Sequence, residues 1–319
     1  MTSIRSLAAL LSMMTLVLCC AESIPTSGGM PSDATAAEIA EARRLMALSL
    51  DTWVDETVRL QRITQKMRVA GGELCGSDLG PVLGAAVIDV DAITPELRPL
   101  ALETLGPHGK LHIVAVFDGM AADRAGILPG DSIVSVQGRI VRRMPRLIRS
   151  VRAGVGSIDL SIERNGRRIE VSLPVELGCK FVTTLVRAYR SADMVNAQLD
   201  RSTVMIHLAL AREISDDDKL AAVIGHEMVH GILWRDVGRR LGPKIEQRAD
   251  HLGCYLAARA GYRLDPDARL FQVLLRDLNR LDEEGRTHPA THERILALRK
   301  TLEEIERKRA ANAPLVPGS

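Results

Sequence analysis

Aromatic residues are scarce in this 319-residue chain, at 3% for Phe, Trp and Tyr together. Leu, Val, Ile and Ala must therefore fill its cores. An excess of one charge sign is also missing, since the formal net charge is only +2. Nucleic-acid binding normally needs a clear basic excess, so no nucleic-acid partner is expected. Long apolar runs stop after the first twenty residues, and no later segment qualifies as a membrane span. Cysteine is sparse too. Beyond Cys20 only Cys75, Cys179 and Cys254 remain, and no two are spaced as CxxC, which argues against a structural cysteine–zinc site. Residues 36–70 contain neither Pro nor Gly.

What is present is an ordinary globular balance, 46% apolar and 26% charged, on a chain long enough for two cores. Residues 1–20 read as a signal peptide. Arg5 supplies a short basic region, and Leu7 to Leu18 an apolar stretch too short to cross a bilayer comfortably. In Val17-Leu18-Cys19-Cys20-Ala21, Cys20 is the candidate for lipidation, and a plain secretory cleavage is the alternative. Either reading puts the mature chain outside the cytoplasm. It would be a periplasm-facing lipoprotein of the cell envelope, held at the membrane by its lipid, or a secreted or periplasmic protein. In an oxidising compartment, three cysteines give one disulfide and one thiol left over. Cys75 and Cys179 flank a β-rich stretch and are the expected pair; Cys254, among Leu252, Tyr255 and Leu256, is the expected buried thiol.

Residues 21–34 read as a tether, and 35–75 as an N-terminal segment of one or two helices, with Ile39, Met46, Leu50, Val54 and Leu60 at roughly helical spacing. Residues 80–177 read as a small β domain. Ile158, Leu160 and Ile162 alternate, as do Ile169, Val171 and Leu173, and Asn165-Gly166 between them signals a tight hairpin. Asp91 to Leu105 reads as a helical insertion. Residues 180–310 read as mainly helical, with an edge strand between Asn196 and Leu208 and a capping pair, Ser215 and Asp218, before the next helix.

That helix carries His226-Glu227-Met228-Val229-His230. Residues i and i+4 share a helix face, so two imidazoles can point at one ion. Glu227 is rotated by about 100° from His226. It suits the role of a general base acting on a water beside the metal, as hydrolysis requires. A third ligand is needed, and Glu246 supplies it. It follows Leu241-Gly242-Pro243, a break whose proline suits the first turn of a new helix. Two His and one Glu leave the fourth zinc position open. Asp250, one turn on, is expected to accept a hydrogen bond from the imidazole of His226. A rival ligand set would use Asp236, six residues after His230, but that geometry needs a Gly where Leu233 stands.

Two resemblances follow from longer stretches. Ala122-Asp123-Arg124-Ala125-Gly126-Ile127-Leu128-Pro129-Gly130-Asp131 and the strand after it resemble a PDZ domain of the bacterial envelope-protease type. That implies an extended peptide added beside Leu83-Gly84-Ala85. Residues from about Asn196 to Leu298 resemble the HtpX-like and CAAX-prenyl-protease-type zinc metallopeptidases. The resemblance is carried by Asn196-Ala197, Leu220 to His230, Glu246 to Asp250, Ala258 to Tyr262 and Thr287 to Ile295. It implies one Zn2+ per chain on His226, His230 and Glu246, with Glu227 as base. It also places His288 near the cleft, where three roles are open to it: a plug on the metal, a catalytic oxyanion donor, or part of a packing loop away from the metal. Arg294, on the helix that follows, is a candidate to hold the His288 loop by charge-assisted hydrogen bonds.

The expectation is an α+β multidomain protein: a mainly helical zincin-type metallopeptidase domain with an edge strand, plus a small β-rich PDZ-like domain. Its expected activity is endopeptidase cleavage of misfolded or membrane-associated polypeptides, with the PDZ-like module presenting or gating substrate. The alternative is a chaperone-like or scaffold envelope protein with a residual zinc site.

Overall fold

The computed structural model describes residues 34–77, 79–106, 110–152, 156–180, 183–187, 197–200, 203–237, 242–264 and 292–318. The expected signal peptide with Cys20, most of the tether, Asn196 and His288 lie outside the described residues. The chain divides into two units, Met1–Leu45 and Met46–Ser319. In the first unit the described residues begin helix α1 (Ala36–Ala70). Thr35 and Glu38 cap it reciprocally: the Thr35 backbone N–H donates to Glu38 Oε2 at 2.7 Å, and Glu38 N–H donates to Thr35 Oγ1 at 3.3 Å. With no Pro or Gly to break it, the segment forms one helix of 35 residues.

In the second unit α1 ends at a 3-10 turn (Gly72–Cys75). A β-rich module follows, comprising β1 (Leu79–Val82), β2 (Ala85–Asp89), α2 (Arg98–Leu105), β3 (Leu111–Val116), α3 (Ala121–Arg124), β4 (Ser132–Val136), β5 (Arg139–Ile140), α4 (Met144–Arg152), β6 (Ser157–Arg164), β7 (Arg167–Pro174) and β8 (Glu176–Cys179). The main sheet runs β2-β3-β4-β6-β7, with β5 beside β4, so β2 and β7 are its outer strands. Asn165 and Gly166 both have positive φ, 51° and 74°, which is the backbone twist a tight hairpin between β6 and β7 requires. Ile113, Ile133, Val136, Ile158, Leu160 and Ile162 fill the core without an aromatic ring among them. The module's two ends meet, since β1 pairs antiparallel with β8. A Cys75–Cys179 disulfide, with Cα atoms 5.6 Å apart, closes the same neck.

The described residues of the remainder form β9 (Thr183–Arg187), β10 (Ala197–Asp200), β11 (Thr203–His207), α5 (Leu208–Glu213), α6 (Asp217–Val237), α7 (Pro243–Arg259) and α8 (His292–Ala310). Here two expectations are corrected. The Asn196–Leu208 stretch is not one edge strand. Within it β10 and β11 form an antiparallel pair, and β11 lies in the middle, with β9 parallel on its other side. The continuous apolar run Val204-Met205-Ile206 is buried, as suits a strand flanked on both edges. Nor does Ser215 pair with Asp218 to cap α6. Asp216 Oδ1 accepts from Asp218 N–H at 2.9 Å, while Asp218 Oδ1 accepts from Arg263 N–H at 2.8 Å. A short Asp side chain reaches an N–H two residues on without distortion.

Helix α6 is the centre of the second core. Every residue from Leu220 to Leu233 is buried. Leu60, Ile63 and Met67 of α1 and Tyr255 and Leu256 of α7 belong to the same cluster. A helix buried on all sides is expected to be apolar throughout. His226, Glu227 and His230 break that pattern, and buried polar groups persist only where something compensates them. Among the described residues no helix is long and apolar enough to cross a membrane.

Candidate metal centre

Helices α6 and α7 touch backbone to backbone. A Cβ built on Gly225 would lie 2.5 Å from the carbonyl oxygen of Gly253, and one built on Gly253 would lie 2.6 Å from the amide nitrogen of His226. Real Cβ atoms do not come so close, so only glycine fits either position. On α7, Glu246, Asp250 and Gly253 are spaced by four and three residues and share one face. The contact at Gly253 therefore turns both carboxylates toward the His226 side of α6.

The result is a tight triangle. His226 Nε2 and His230 Nε2 are 3.1 Å apart, His226 Nε2 and Glu246 Oε2 3.3 Å, and His230 Nε2 and Glu246 Oε1 3.4 Å. In a tetrahedral zinc site with ligands at roughly 2.0–2.1 Å, donor atoms stand about 3.3 Å from one another. Each of these spacings is close to one edge of such a site, with the two imidazoles facing different oxygens of the Glu246 carboxylate, and one donor atom from each of the three residues lies within 4.8 Å of the others. All three side chains are buried, Glu246 completely at 0% exposure.

The rest of the cluster orients these donors. His226 Nδ1 stands 2.8 Å from Asp250 Oδ1, which leaves Nε2 facing His230 and Glu246. Asp250 in turn takes both arms of a guanidinium: Arg294 Nε donates to Oδ2 at 2.5 Å, and Nη2 donates to Oδ1 at 2.9 Å. Arg294 Nη1 is also 3.4 Å from Glu246 Oε2. Arg294, on α8, is only 1% exposed. It fastens α8 to the two carboxylates of α7; the His288 loop that it was expected to hold lies outside the described residues.

Electrostatics point the same way. Among the described residues the cluster holds three carboxyl groups, Glu227, Glu246 and Asp250, and the Arg294 guanidinium. Buried carboxylates are costly unless compensated, and a cation among these donors is one means of compensation. Burial by itself would lower the proton affinity of His226. The hydrogen bonds to Asp250 and Glu246, with the charges of Asp250 and Glu227, outweigh it and raise the pKa to about 9 for the protein groups alone. Burial would likewise raise Asp250, but the Arg294 and His226 hydrogen bonds hold its carboxyl below the usual range. A cation seated among these donors would replace the proton on Nε2.

Glu227 lies on α6 beside His226, itself buried and acting on His226 through its charge. The rival ligand Asp236 falls within α6, which runs unbroken to Val237, so the chain does not turn back after Leu233. Cys254 on α7 is a buried free thiol whose pKa is pushed up, first by burial and then by the charge of Asp250. In the proposed peptide loop, Leu83 O accepts from Ala122 N–H at 3.0 Å. Gly84 N–H and Ala85 C=O are both taken by Gln65 at 2.8 Å. Sequence reasoning missed Gly225, Gly253 and Gln65. An isolated Gly within a helical pattern was the available signal for the first two, since it often marks a close approach.

No family model matches the chain, and no curated protein matches it. Solved structures do, over about a third of its length. The HtrA-type protease AlgW with a decapeptide is 28% identical across 31% of this chain and 30% of that one, with a TM-score of 0.27. The HtrA3 PDZ domain bound to a phage-derived ligand is 22% identical across 31% of this chain and 88% of that one, with a TM-score of 0.26. The chain thus spans under a third of the length of AlgW.

Proposed function

We propose that this protein is a zinc-dependent endopeptidase of the cell envelope. The observation that carries the reading is the buried cluster of His226, His230 and Glu246, with imidazole–imidazole and imidazole–carboxylate spacings of 3.1–3.4 Å. The motif spacing and the sequence resemblance to HtpX-like and CAAX-prenyl-protease-type metallopeptidases support it.

A zinc ion held by these three residues would supply Lewis acidity, making water nucleophilic at neutral pH and polarising a peptide carbonyl. The chain's own groups do the remainder. Glu227 takes the proton from the attacking water and hands it to the leaving amine. Asp250 keeps the Nδ1 proton of His226 in place, so that Nε2 stays a donor with its lone pair toward the ion. Arg294 fixes Asp250 through two charge-assisted hydrogen bonds, which locks the imidazole's orientation. The substrates proposed are polypeptides, misfolded or membrane-associated. Cys20 is proposed as the lipidated residue, and intact mass from membrane fractions tests that assignment.

The decisive experiment measures zinc content and cleavage of an unfolded polypeptide for the wild type and Glu227→Gln. The substitution should keep one zinc per chain and abolish cleavage. Zinc retained with near-normal cleavage would remove Glu227 as base. Zinc bound but no cleavage by the wild type would favour the scaffold reading.

A further inference from the structure

Among the described residues strand β2 is an outer strand of its sheet, with only β3 paired to it. Its other edge should present backbone N–H and C=O groups to solvent or to an incoming strand. It does neither, because helix α1 covers it. Gln61 Nε2 donates to Val87 O at 2.9 Å, and Val87 N–H donates to Gln61 Oε1 at 3.0 Å. One turn later, Gln65 Nε2 donates to Ala85 O and Gly84 N–H donates to Gln65 Oε1, both at 2.8 Å. Each carboxamide therefore gives one bond and takes one, as a peptide group of a neighbouring strand would.

The geometry has a simple basis. Residues four apart on a helix are separated by about 6 Å along the axis. Alternate residues of a strand are separated by roughly 6.6 Å. Two glutamines one turn apart can thus match one repeat of a strand edge. The same face continues to Arg68, whose Nε donates to Cys179 O at 2.7 Å and whose Nη2 donates to Pro81 O at 3.1 Å. Gln61 and Gln65 are both buried. A burial of this kind is tolerated only where the amides are satisfied, and removing the strand edge would take away these partners of both carboxamides.

We propose that helix α1 is the resident ligand of the β2 edge. By imitating a strand, it holds the β-rich module through Gln61 and Gln65, so the edge is closed to added peptide in the folded chain. The same helix also supports the metal-bearing helix. Arg59 Nε donates to Asp217 Oδ1 at 2.5 Å at the start of α6, and Met67 Cε lies 3.0 Å from where a Cβ on Gly225 would be. The module's role under this proposal is to brace α1 against α6 rather than to read peptides at β2.

Amide hydrogen exchange on the full chain tests this. Gly84 and Val87 amides should be protected in the wild type like those of central strands. In Gln61→Met with Gln65→Met, they should exchange roughly tenfold faster or more, with Ile133 and Ile162 unchanged. Fast exchange at Gly84 and Val87 in the wild type, or their perturbation by a Val-terminated pentapeptide with a free carboxylate, would show an open edge and overturn the proposal. Equal protection in wild type and variant would overturn it as well. If the double variant loses protection throughout, Gln65→Met alone gives the same reading at Gly84, with Val87 as internal control.

Discussion

Gly225 of α6 and Gly253 of α7 are in backbone contact, and the candidate metal donors sit directly beside that contact. The atoms that oppose Gly253 are all main-chain oxygen, carbon and nitrogen, which cannot rotate away as a flexible side chain could. Gly253→Ala should therefore push the two helices apart. The expected costs are about 1–3 kcal/mol of stability, as for other overpacked sites, and weaker zinc binding. Denaturant midpoints and chelator competition measure the two effects. Wild-type values for both would mean that the crossing does not set the donor geometry.

Asp250→Asn keeps an acceptor for His226 but loses the charge that Arg294 grips. Zinc affinity should fall by about 10- to 100-fold, with the fold retained. Titration with a chromophoric chelator reads this directly. A change under twofold would leave Asp250 as packing only.

Arg294→Met removes the cation from between two buried carboxylates. Breaking such a pair from one side costs about 3–5 kcal/mol. The thermal midpoint should drop sharply and partly recover on addition of zinc, because a bound cation stabilises the folded state. A midpoint insensitive to zinc would argue against a cation among these donors.

The Cys75–Cys179 bridge joins residues 104 apart at the neck of the β-rich module. In the chain-entropy model, closing a loop of that length stabilises by up to about 4–5 kcal/mol. Cys75→Ser with Cys179→Ser should lower stability by a large part of that amount. Reductant should then lower wild-type stability and leave the variant unchanged, and an equal response of both proteins would contradict the assignment.

Glu304 on α8 provides a pH prediction away from the candidate metal centre. The Lys308 hydrogen bond at 2.6 Å and the Tyr255 hydroxyl at 2.7 Å outweigh burial and lower its pKa from 4.5 to about 2. A carboxyl whose folded pKa is depressed contributes stability that is complete above its unfolded pKa. That contribution is lost as pH falls from about 4.5 toward about 2. With about a quarter of the side chain exposed, solvent screening reduces the benefit to about 1–2 kcal/mol. Glu304→Gln should be less stable by that amount at pH 7, and its stability should vary less across the acid window. Parallel acid-denaturation curves for the two proteins would refute this.

Local geometry made part of this protein legible in its sequence. His226 and His230 share a face because the helical repeat demands it, and Asn165-Gly166 turns a hairpin because both residues tolerate positive φ. An uninterrupted run of helix formers makes α1. The period of a helix or strand is fixed by its own backbone, so these features need no distant partner. Everything that joins separate elements was decided by tertiary packing. Arg294 meets Asp250 from 44 residues away. Val204 to Ile206 became a central strand because β9 took its second edge. The carboxamides of Gln61 and Gln65 carry no mark along the chain of the β2 edge that they meet. Such contacts depend on which surfaces fit at a helix crossing or a strand edge, and no periodicity along the chain records that fit.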